Sequence, residues 1–168
     1  WNHQAAGAQR LRAQLGELEG IEVVVAGSAR EAMEGADVVC TVSAASTPIL
    51  QGAWLVAGQH VNLVGASVAS AREADDAVVL RSRFFVDARA SAAVQAGEWL
   101  HALAAGVVSH DHLRGEIGEV LLGDVAGREH KDDITVYKSL GHTAQDLATA
   151  EAIVRMARAS GQYPELPW

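Results

Sequence analysis

The 168-residue chain is poor in several residue types that mark particular protein classes: it has one cysteine, three prolines and 5% aromatic residues. The single cysteine, Cys40, excludes an internal disulfide framework. Its apolar neighbours predict a small buried hydrophobe rather than a reactive thiol. No apolar run approaches the ~18 residues that a membrane-spanning helix needs, so we expect no membrane segment. Because aromatics are scarce, the core is expected to be aliphatic.

Positive charge is also scarce, since 13 Lys and Arg residues face 21 Asp and Glu residues and the formal net charge is −8. This balance argues against nucleic acid or an anionic membrane as the main partner. It does not argue against a small anionic ligand, because a local site can oppose the global charge. No secretory signal opens the chain, and we expect a cytoplasmic protein. The chain starts with Trp1 rather than Met, which we interpret as a piece of a longer protein.

Helical and strand-like patterns alternate along the chain, which predicts one α/β domain with a mainly parallel, doubly wound sheet and helices on both faces. Parallel strands are expected at residues 21–25, 37–42, 60–64 and 84–86, and the strand at 84–86 is expected to be the last parallel one. A further short strand is expected at 134–137. The segment 37–42 is apolar at nearly every position, which predicts a central strand.

The helical segments are expected at residues 4–18, 28–35, 73–83, 88–112 (interrupted), 116–122 and from 143 onward. Ser28 and Glu31 have the spacing of a capping box, with Ser28 as the N-cap. Residues 127–133 are polar and predict a loop. Apolar stripes predict a buried face on the first helix (Ala5, Ala8, Leu11, Leu15, Leu18) and on the last (Leu147, Ala150, Val154, Ala157).

Small residues collect at three predicted strand ends: Thr41-Val42-Ser43, Val64-Gly65-Ala66-Ser67 and Lys138-Ser139-Leu140-Gly141. In doubly wound sheets, ligands bind beyond the carboxyl ends of the strands. Small side chains there let backbone groups approach a flat ring or a ribose. From the spacing alone, ordinary turns remain the simpler interpretation.

A resemblance to a known family extends over essentially the whole chain. Seven runs carry it, in the family's order and spacing: ADVVCTVS (36–43), PILQGAWL (48–55), GQHVNLVGAS (58–67), READD (72–76), VDAR (86–89), GEIGEV (115–120) and ITVYKSLG (134–141). In these runs the chain resembles the ornithine cyclodeaminase/μ-crystallin family.

The resemblance implies most of an NAD(P)-binding Rossmann-like domain over residues 1–168, with a helical return segment from about residue 88. A second domain would carry the dimer interface and much of the substrate site. The implied parent is a homodimeric oxidoreductase that reduces a cyclic ketimine or oxidises a small amino acid. The residues implied at the cofactor, NADP or alternatively NAD, are Thr41, Val42, Ser43, Val64, Gly65, Ala66, Ser139 and Leu140, the last two over the reactive face of the nicotinamide.

Departures from the family pattern narrow the implied function. Ser67, the candidate catalytic residue, stands where the cyclodeaminases have an Asp that acts on the substrate amine. A Ser cannot serve as that carboxylate base, so the chain is more similar to the μ-crystallin/ketimine-reductase branch. A cyclodeaminase is kept as an alternative despite Ser67. Gln95 stands where the ketimine-reductase branch often has a Glu.

The first three residues resemble the end of the second Rossmann strand, where NAD enzymes favour an acid. Asn2 would not repel a 2′-phosphate and His3 could help neutralise it, so they are candidate NADP contacts; a frayed terminus is the alternative. The family's first strand and its glycine-rich turn should precede Trp1 and are absent from the sequence. That strand is central in the 3-2-1-4-5-6 order, and a parallel sheet does not easily leave a gap there, so we expect this chain to fold beside the remainder of the protein or in a rearranged form.

Other function classes have sequence signals of their own. A non-catalytic NADPH-dependent binding protein is the main alternative, since sequence cannot separate a reductase from a binder that keeps the cofactor. Residues 65–69 approximate a hydrolase nucleophile elbow but lack its second Gly. His110 and His112 have the spacing of a metal pair, with only Asp111 as a neighbouring ligand, so no metal site is expected. Without the glycine-rich turn and the second domain, we expect the chain alone to be inactive.

Overall fold

The sheet is parallel throughout in the computed structural model, which describes residues 1–16 and 20–163. Five strands form it: β1 (Val38–Thr41), β2 (His60–Leu63), β3 (Arg83–Val86), β4 (Leu113–Glu116) and β5 (Thr135–Lys138). Seven α-helices are described: α1 (Ala5–Leu15), α2 (Ala29–Met33), α3 (Asp76–Leu80), α4 (Arg89–Gln95), α5 (Gly97–Ala104), α6 (Ile117–Leu122) and α7 (Thr143–Ser160). The α/β class and the parallel sheet are therefore confirmed.

Strand β5, late in the sequence, lies at the centre of the sheet. The order is β1-β2-β5-β3-β4, so β5 bonds to β2 on one side and to β3 on the other. Val136 pairs with Val61 and with Phe84, and all three side chains are fully buried. The five described strands thus form one continuous sheet. The expectation that residues 84–86 form the last parallel strand is wrong, because β4 and β5 follow it.

Strand β1 is an edge strand and not the central strand that its apolar sequence predicts. It pairs only with β2 among the described strands. Val38 is 56% exposed, and Cys40 is exposed too, so the prediction of a buried cysteine is wrong. An apolar pattern reports which faces favour burial, but burial also requires a covering element.

Residues 21–25 do not form the predicted strand. They lie outside every strand of the sheet, and Ile21 and Val24 are 58% and 73% exposed. β-Branched residues favour a strand only when a neighbouring strand pairs with them. No described strand pairs with this segment, so its β-branched residues do not form a strand here.

Polar side chains cap the N-termini of helices α2 and α3. Ser28 is the predicted N-cap of α2, and its hydroxyl accepts from the Glu31 N–H at 3.1 Å; the Glu31 carboxylate turns instead to the Gly27 N–H at 2.7 Å. Helix α3 begins after Asp75, not at residue 73, because the Asp75 carboxylate caps the Val78 N–H at 3.1 Å. The predicted helix 73–83 is correspondingly too long at both ends.

Helices α1 and α7 bury none of their described residues. Leu11 is 54% exposed, Leu147 70% and Val154 48%, so the predicted buried faces are uncovered in this chain; Leu18 lies outside the described residues. The core instead lies between the sheet and α3, α4 and α5, where Phe84 stacks on Trp99 at 5.8 Å between ring centroids. Within the described ranges, no helix is both long and apolar enough to cross a bilayer.

Candidate functional site

The three strand ends singled out in the sequence lie side by side at one edge of the sheet. Strands β1, β2 and β5 are neighbours and run parallel, so their carboxyl ends share that edge. The Val64 N–H donates to the Thr41 carbonyl oxygen at 2.9 Å. The Ser139 N–H donates to the Leu63 carbonyl oxygen, also at 2.9 Å. The fold therefore brings together Thr41, Val64 and Ser139, which are far apart in sequence.

The buried Glu73 carboxylate ties the ends of β1 and β2 together. Glu73 Oε1 accepts from the Ser43 N–H at 2.6 Å and from the Ser43 hydroxyl at 2.7 Å. Glu73 Oε2 accepts from the Thr41 hydroxyl at 2.7 Å and from the Gly65 N–H at 2.8 Å. Since Glu73 is 0% exposed, these four donors replace the water that a carboxylate otherwise needs.

The same contacts set the charge state of Glu73. Burial acts to raise the pKa of its carboxyl, because the charged form loses hydration. Hydrogen bonds from Ser43, Thr41 and Gly65 act in the opposite direction and outweigh it, so the pKa of Glu73 lies below its ordinary value. At neutral pH the group is a fixed anion, and a carboxylate that accepts four hydrogen bonds has no free proton to give or take. Glu73 is thus suited to holding the loops and not to acid–base chemistry.

A second pair of charged residues continues inward from Glu73. The Glu73 N–H donates to Glu98 Oε1 at 2.8 Å, and Glu98 Oε2 lies 3.3 Å from the Lys138 ammonium nitrogen. Among the described residues Glu98 Oε2 accepts no well-aligned hydrogen bond, so its attraction to Lys138 is electrostatic. The Lys138 ammonium donates to the Ala66 carbonyl oxygen. We call Glu73, Glu98 and Lys138 the strand-end network; all three are 0% exposed.

Asp87 holds the loop that follows β5. Its Oδ2 accepts from the Leu140 N–H at 2.6 Å and from the Gly141 N–H at 2.7 Å, while Oδ1 accepts from the Ala88 N–H at 2.9 Å. Asp87 itself directly follows β3, the strand next to β5. The loop 139–141 is therefore fixed from a neighbouring strand end.

An open cleft of about 820 Å³ borders β1. It is lined by five of the residues predicted for the cofactor: Asn2, His3, Thr41, Val42 and Ser43. Its volume lies within the range of about 300–1,000 Å³ typical of small-ligand sites. The other predicted cofactor residues, at the ends of β2 and β5, lie beside the cleft rather than in its lining. The predicted cofactor residues therefore form two groups, one lining the cleft beside β1 and one at the ends of β2 and β5.

The remaining predicted residues are placed as follows. Ser67 is exposed and comes directly after the anchored Ala66. Asn2 and His3 are exposed outside any strand, and Asn2 Oδ1 accepts from the Gln4 N–H at 2.8 Å. Gln95 is exposed at the end of α4. Ser67 therefore lies at the edge formed by the strand ends. Asn2 belongs to the lining of the cleft that borders β1.

The histidine pair at residues 110–112 has another role. His112 Nε2 lies 2.6 Å from the Val79 carbonyl oxygen, and the His112 ring stacks on Trp99 at 6.4 Å between centroids. Within residues 1–16 and 20–163, no three His, Cys, Asp or Glu side chains converge as metal ligands would. The contacts of His112 are those of a packing residue.

Glu73, Asp87 and Glu98 are not among the site residues predicted from the sequence, and Lys138 was predicted only as the first residue of the strand end 138–141, without a role of its own. Lys138 closes an apolar strand and Asp87 directly follows another, and a charge at the carboxyl end of a buried parallel strand is a signal that could have identified both. Glu73 lies in one of the runs that carried the family resemblance. Glu98 carries no such signal, because an acidic residue in the first turn of a helix is ordinary.

Comparison with known proteins matches this chain to one family over almost its whole length. The model of the family described as "Ornithine cyclodeaminase/mu-crystallin family" matches residues 1–161. Ketimine reductase mu-crystallin of Mus musculus is 36% identical over 153 residues, which cover 91% of this chain and 45% of that protein. The chain thus spans about half the length of the relatives it matches.

Solved structures share the fold over nearly the whole chain. Delta(1)-pyrroline-2-carboxylate reductase of Thermococcus litoralis, in complex with NADH and L-proline, superposes with a TM-score of 0.83 at 31% identity; the match covers 95% of this chain and 48% of that one. An archaeal alanine dehydrogenase dimer with bound NAD gives a TM-score of 0.84 at 27% identity, over 98% of this chain and 50% of that one.

Proposed function

Because the chain belongs to the ornithine cyclodeaminase/mu-crystallin family, we propose that it supplies most of the dinucleotide-binding domain of an NAD(P)-dependent oxidoreductase. The reaction proposed for the intact protein is reduction of a cyclic ketimine, or oxidation of a small amino acid in the reverse sense. Relatives named as a ketimine reductase and as a pyrroline carboxylate reductase support this choice.

The observation that carries the proposal is the meeting of three small-residue strand ends at one edge, each held from behind by a buried charged side chain. We assign Val64, Gly65 and Ala66 to the border of the nicotinamide, and Ser139 and Leu140 to its reactive face. The bound nicotinamide would supply or accept the hydride. The role of the chain is to hold the ring still, since preorganised positioning supplies about 7–11 kcal/mol of a barrier.

The other half of the dinucleotide is assigned to the cleft beside β1. Thr41, Val42 and Ser43 would line the cofactor there, with Asn2 and His3 at the adenosine ribose. Neither Asn2 nor His3 carries a negative charge that would repel a 2′-phosphate, so we propose NADP as the preferred cofactor and NAD as the second. The intact protein is proposed to be a cytoplasmic homodimer; the archaeal alanine dehydrogenase was solved as a dimer.

Ser67 is proposed to face the substrate, where its hydroxyl can hydrogen-bond an imine or carboxylate. Unactivated, it is a poor base, so the intact protein is expected not to convert ornithine to proline. The second candidate function is a protein that binds NADPH and a small ligand without turnover, and Ser67 does not distinguish it from a reductase. Proline formation from ornithine would contradict the assignment of Ser67.

The test is the oxidation of NADPH by the intact protein on adding five- and six-membered cyclic ketimine carboxylates. Sustained loss of reduced nicotinamide supports the reductase, and tight NADPH binding with no turnover supports the binder. The isolated 168-residue chain serves as the matched control and is expected to show no turnover. Robust turnover by that chain, or failure of the intact protein to bind any dinucleotide, would overturn the proposal.

A further inference from the structure

Glu98 and Lys138 form an ion pair in the protein interior, where an ion pair contributes little net stability to the fold. Removing two charges from water costs more than their attraction commonly returns, so a buried pair is weak evidence for a stability role. Both side chains are 0% exposed, and their closest approach is 3.3 Å without an aligned hydrogen bond. The well-defined contacts of the pair are those at its two ends.

Those ends are the two loops at the carboxyl edge of the sheet. At one end, Glu98 accepts from the Glu73 N–H at 2.8 Å, and the Glu73 carboxylate holds the Thr41 and Ser43 loop. At the other end, Lys138 donates to the carbonyl oxygen of Ala66. The charges therefore add to the hydrogen bonds that the Val64 and Gly65 N–H groups donate to the Thr41 carbonyl oxygen at 2.9 and 3.2 Å, which already join the two loops.

We propose that Lys138 is a positioning residue: held by Glu98, its ammonium fixes the Ala66 carbonyl and so sets the loop of residues 64–67 against the nicotinamide end of the cofactor. This inference rests on the proposed function for the identity of the ligand. The anchoring of the loop itself does not depend on it. Ala66 is 4% exposed, whereas Val64 and Ser67 are exposed. The Ala66 carbonyl therefore anchors the loop beyond the Val64 and Gly65 N–H groups, which bond to Thr41 and Glu73.

Two variants of the intact protein separate positioning from stability. The double variant Glu98→Gln with Lys138→Met removes both charges and the donor to Ala66, while the introduced amide side chain keeps a carbonyl for the Glu73 N–H. The single variant Glu98→Gln keeps the Lys138 donor but leaves it without its counter-charge. The matched control is Val79→Ala, a fully buried residue of α3 whose side chain is outside the strand-end network.

Three quantities are measured for each protein: the thermal unfolding midpoint, the amide hydrogen exchange of the segment 64–67 without ligand, and the NADPH dissociation constant. For the double variant we expect an unfolding midpoint near that of the wild type, exchange faster by about tenfold, and NADPH affinity weaker by about tenfold. For Glu98→Gln we expect the reverse: a lower midpoint with exchange and affinity close to the wild type. Val79→Ala is expected to lower the midpoint alone.

A folded double variant with unchanged exchange at 64–67 and unchanged NADPH affinity would overturn the inference. It would also fail if Val79→Ala changed exchange and affinity as much as the double variant does, because general destabilisation would then be the cause. If the wild-type protein binds no dinucleotide, the proposed function fails. The exchange measurement still decides the anchoring of the loop, so the two failures are distinguishable.

Discussion

A β-carbon on Gly65 would lie 2.0 Å from the carbonyl oxygen of Ser43, and 2.4 Å from Glu73 Oε1. The first neighbour is backbone at the end of β1 and cannot move without moving that strand end. The absence of a side chain at Gly65 thus lets the ends of β1 and β2 close on each other around the Glu73 carboxylate.

The variant Gly65→Ala is expected to separate these two strand ends. We expect a loss of about 1–3 kcal/mol in the free energy of unfolding, from overpacking, and NADPH binding weaker by about tenfold or more. Denaturant unfolding and ligand titration of the intact protein measure both. Gly118→Ala is the matched control, since a β-carbon there meets nothing within 4 Å inside α6 and alanine favours a helix by up to about 1 kcal/mol. Equal effects of the two substitutions would refute the close-approach argument.

The variant Glu73→Gln is expected to change how stability depends on pH. The pKa of Glu73 is lowered in the folded protein, so its contribution is present above the unfolded pKa of about 4.3 and is lost as the pH falls through the folded value. The wild type should therefore lose stability below about pH 4.3 more steeply than the variant, while the two curves run parallel from about pH 5 to 7. Urea unfolding across that range measures it. Glu34→Gln, at an exposed residue, is the control; parallel curves for the wild type and Glu73→Gln below about pH 4 contradict the account.

The variant Asp87→Asn is expected to loosen the loop 139–141. One Asn oxygen cannot replace both carboxylate oxygens that accept from Leu140, Gly141 and Ala88, and the amide group would face a backbone donor. Leaving a buried donor unpaired costs about 1–3 kcal/mol. We expect lower stability, faster amide exchange at 139–141 and weaker NADPH binding. Asp111→Asn, an exposed carboxylate, should change none of these; unaltered exchange in Asp87→Asn would remove Asp87 from the site.

The variant Asn2→Asp is expected to shift cofactor preference from NADPH toward NADH. A carboxylate accepts from a ribose 2′-hydroxyl and repels a 2′-phosphate. A charge-assisted contact of about 1.5–3 kcal/mol corresponds to about tenfold to hundredfold in the ratio of the two dissociation constants. A wild type with equal affinities, or a variant with an unchanged ratio, defeats the assignment of Asn2 and His3.

The sequence predicted the fold class and the strand ends because both depend on local patterns. Apolar runs ending in small residues mark parallel strands, and the strands predicted at residues 60–64 and 134–137 are found at 60–63 and 135–138. Burial was predicted less well, since it depends on which element covers a face. The sequence around Val38 and Cys40 predicts a central strand, whereas both residues lie on the edge strand β1 and are exposed. The prediction that Leu147 and Val154 are buried was wrong for the same reason.

The buried charges of the site could not be derived from patterns. Glu73 meets Thr41, Ser43 and Gly65 only after the parallel pairing of β1 and β2 brings their ends together. Lys138 and Glu98 are far apart in sequence, and their pairing depends on β5 lying at the centre of the sheet. The strand order is a global property, and the 3-2-1-4-5-6 scheme alone did not place β5 there.

The central claim is that one dinucleotide spans the ends of β1, β2 and β5. The most direct test is amide hydrogen exchange of the intact protein with and without saturating NADPH. The account predicts saturable binding with slowed exchange in all three segments, 41–43, 64–67 and 139–141, and unchanged exchange in the polar loop 127–133. Saturable binding that protects none of the three segments, or protects only the first, would contradict it.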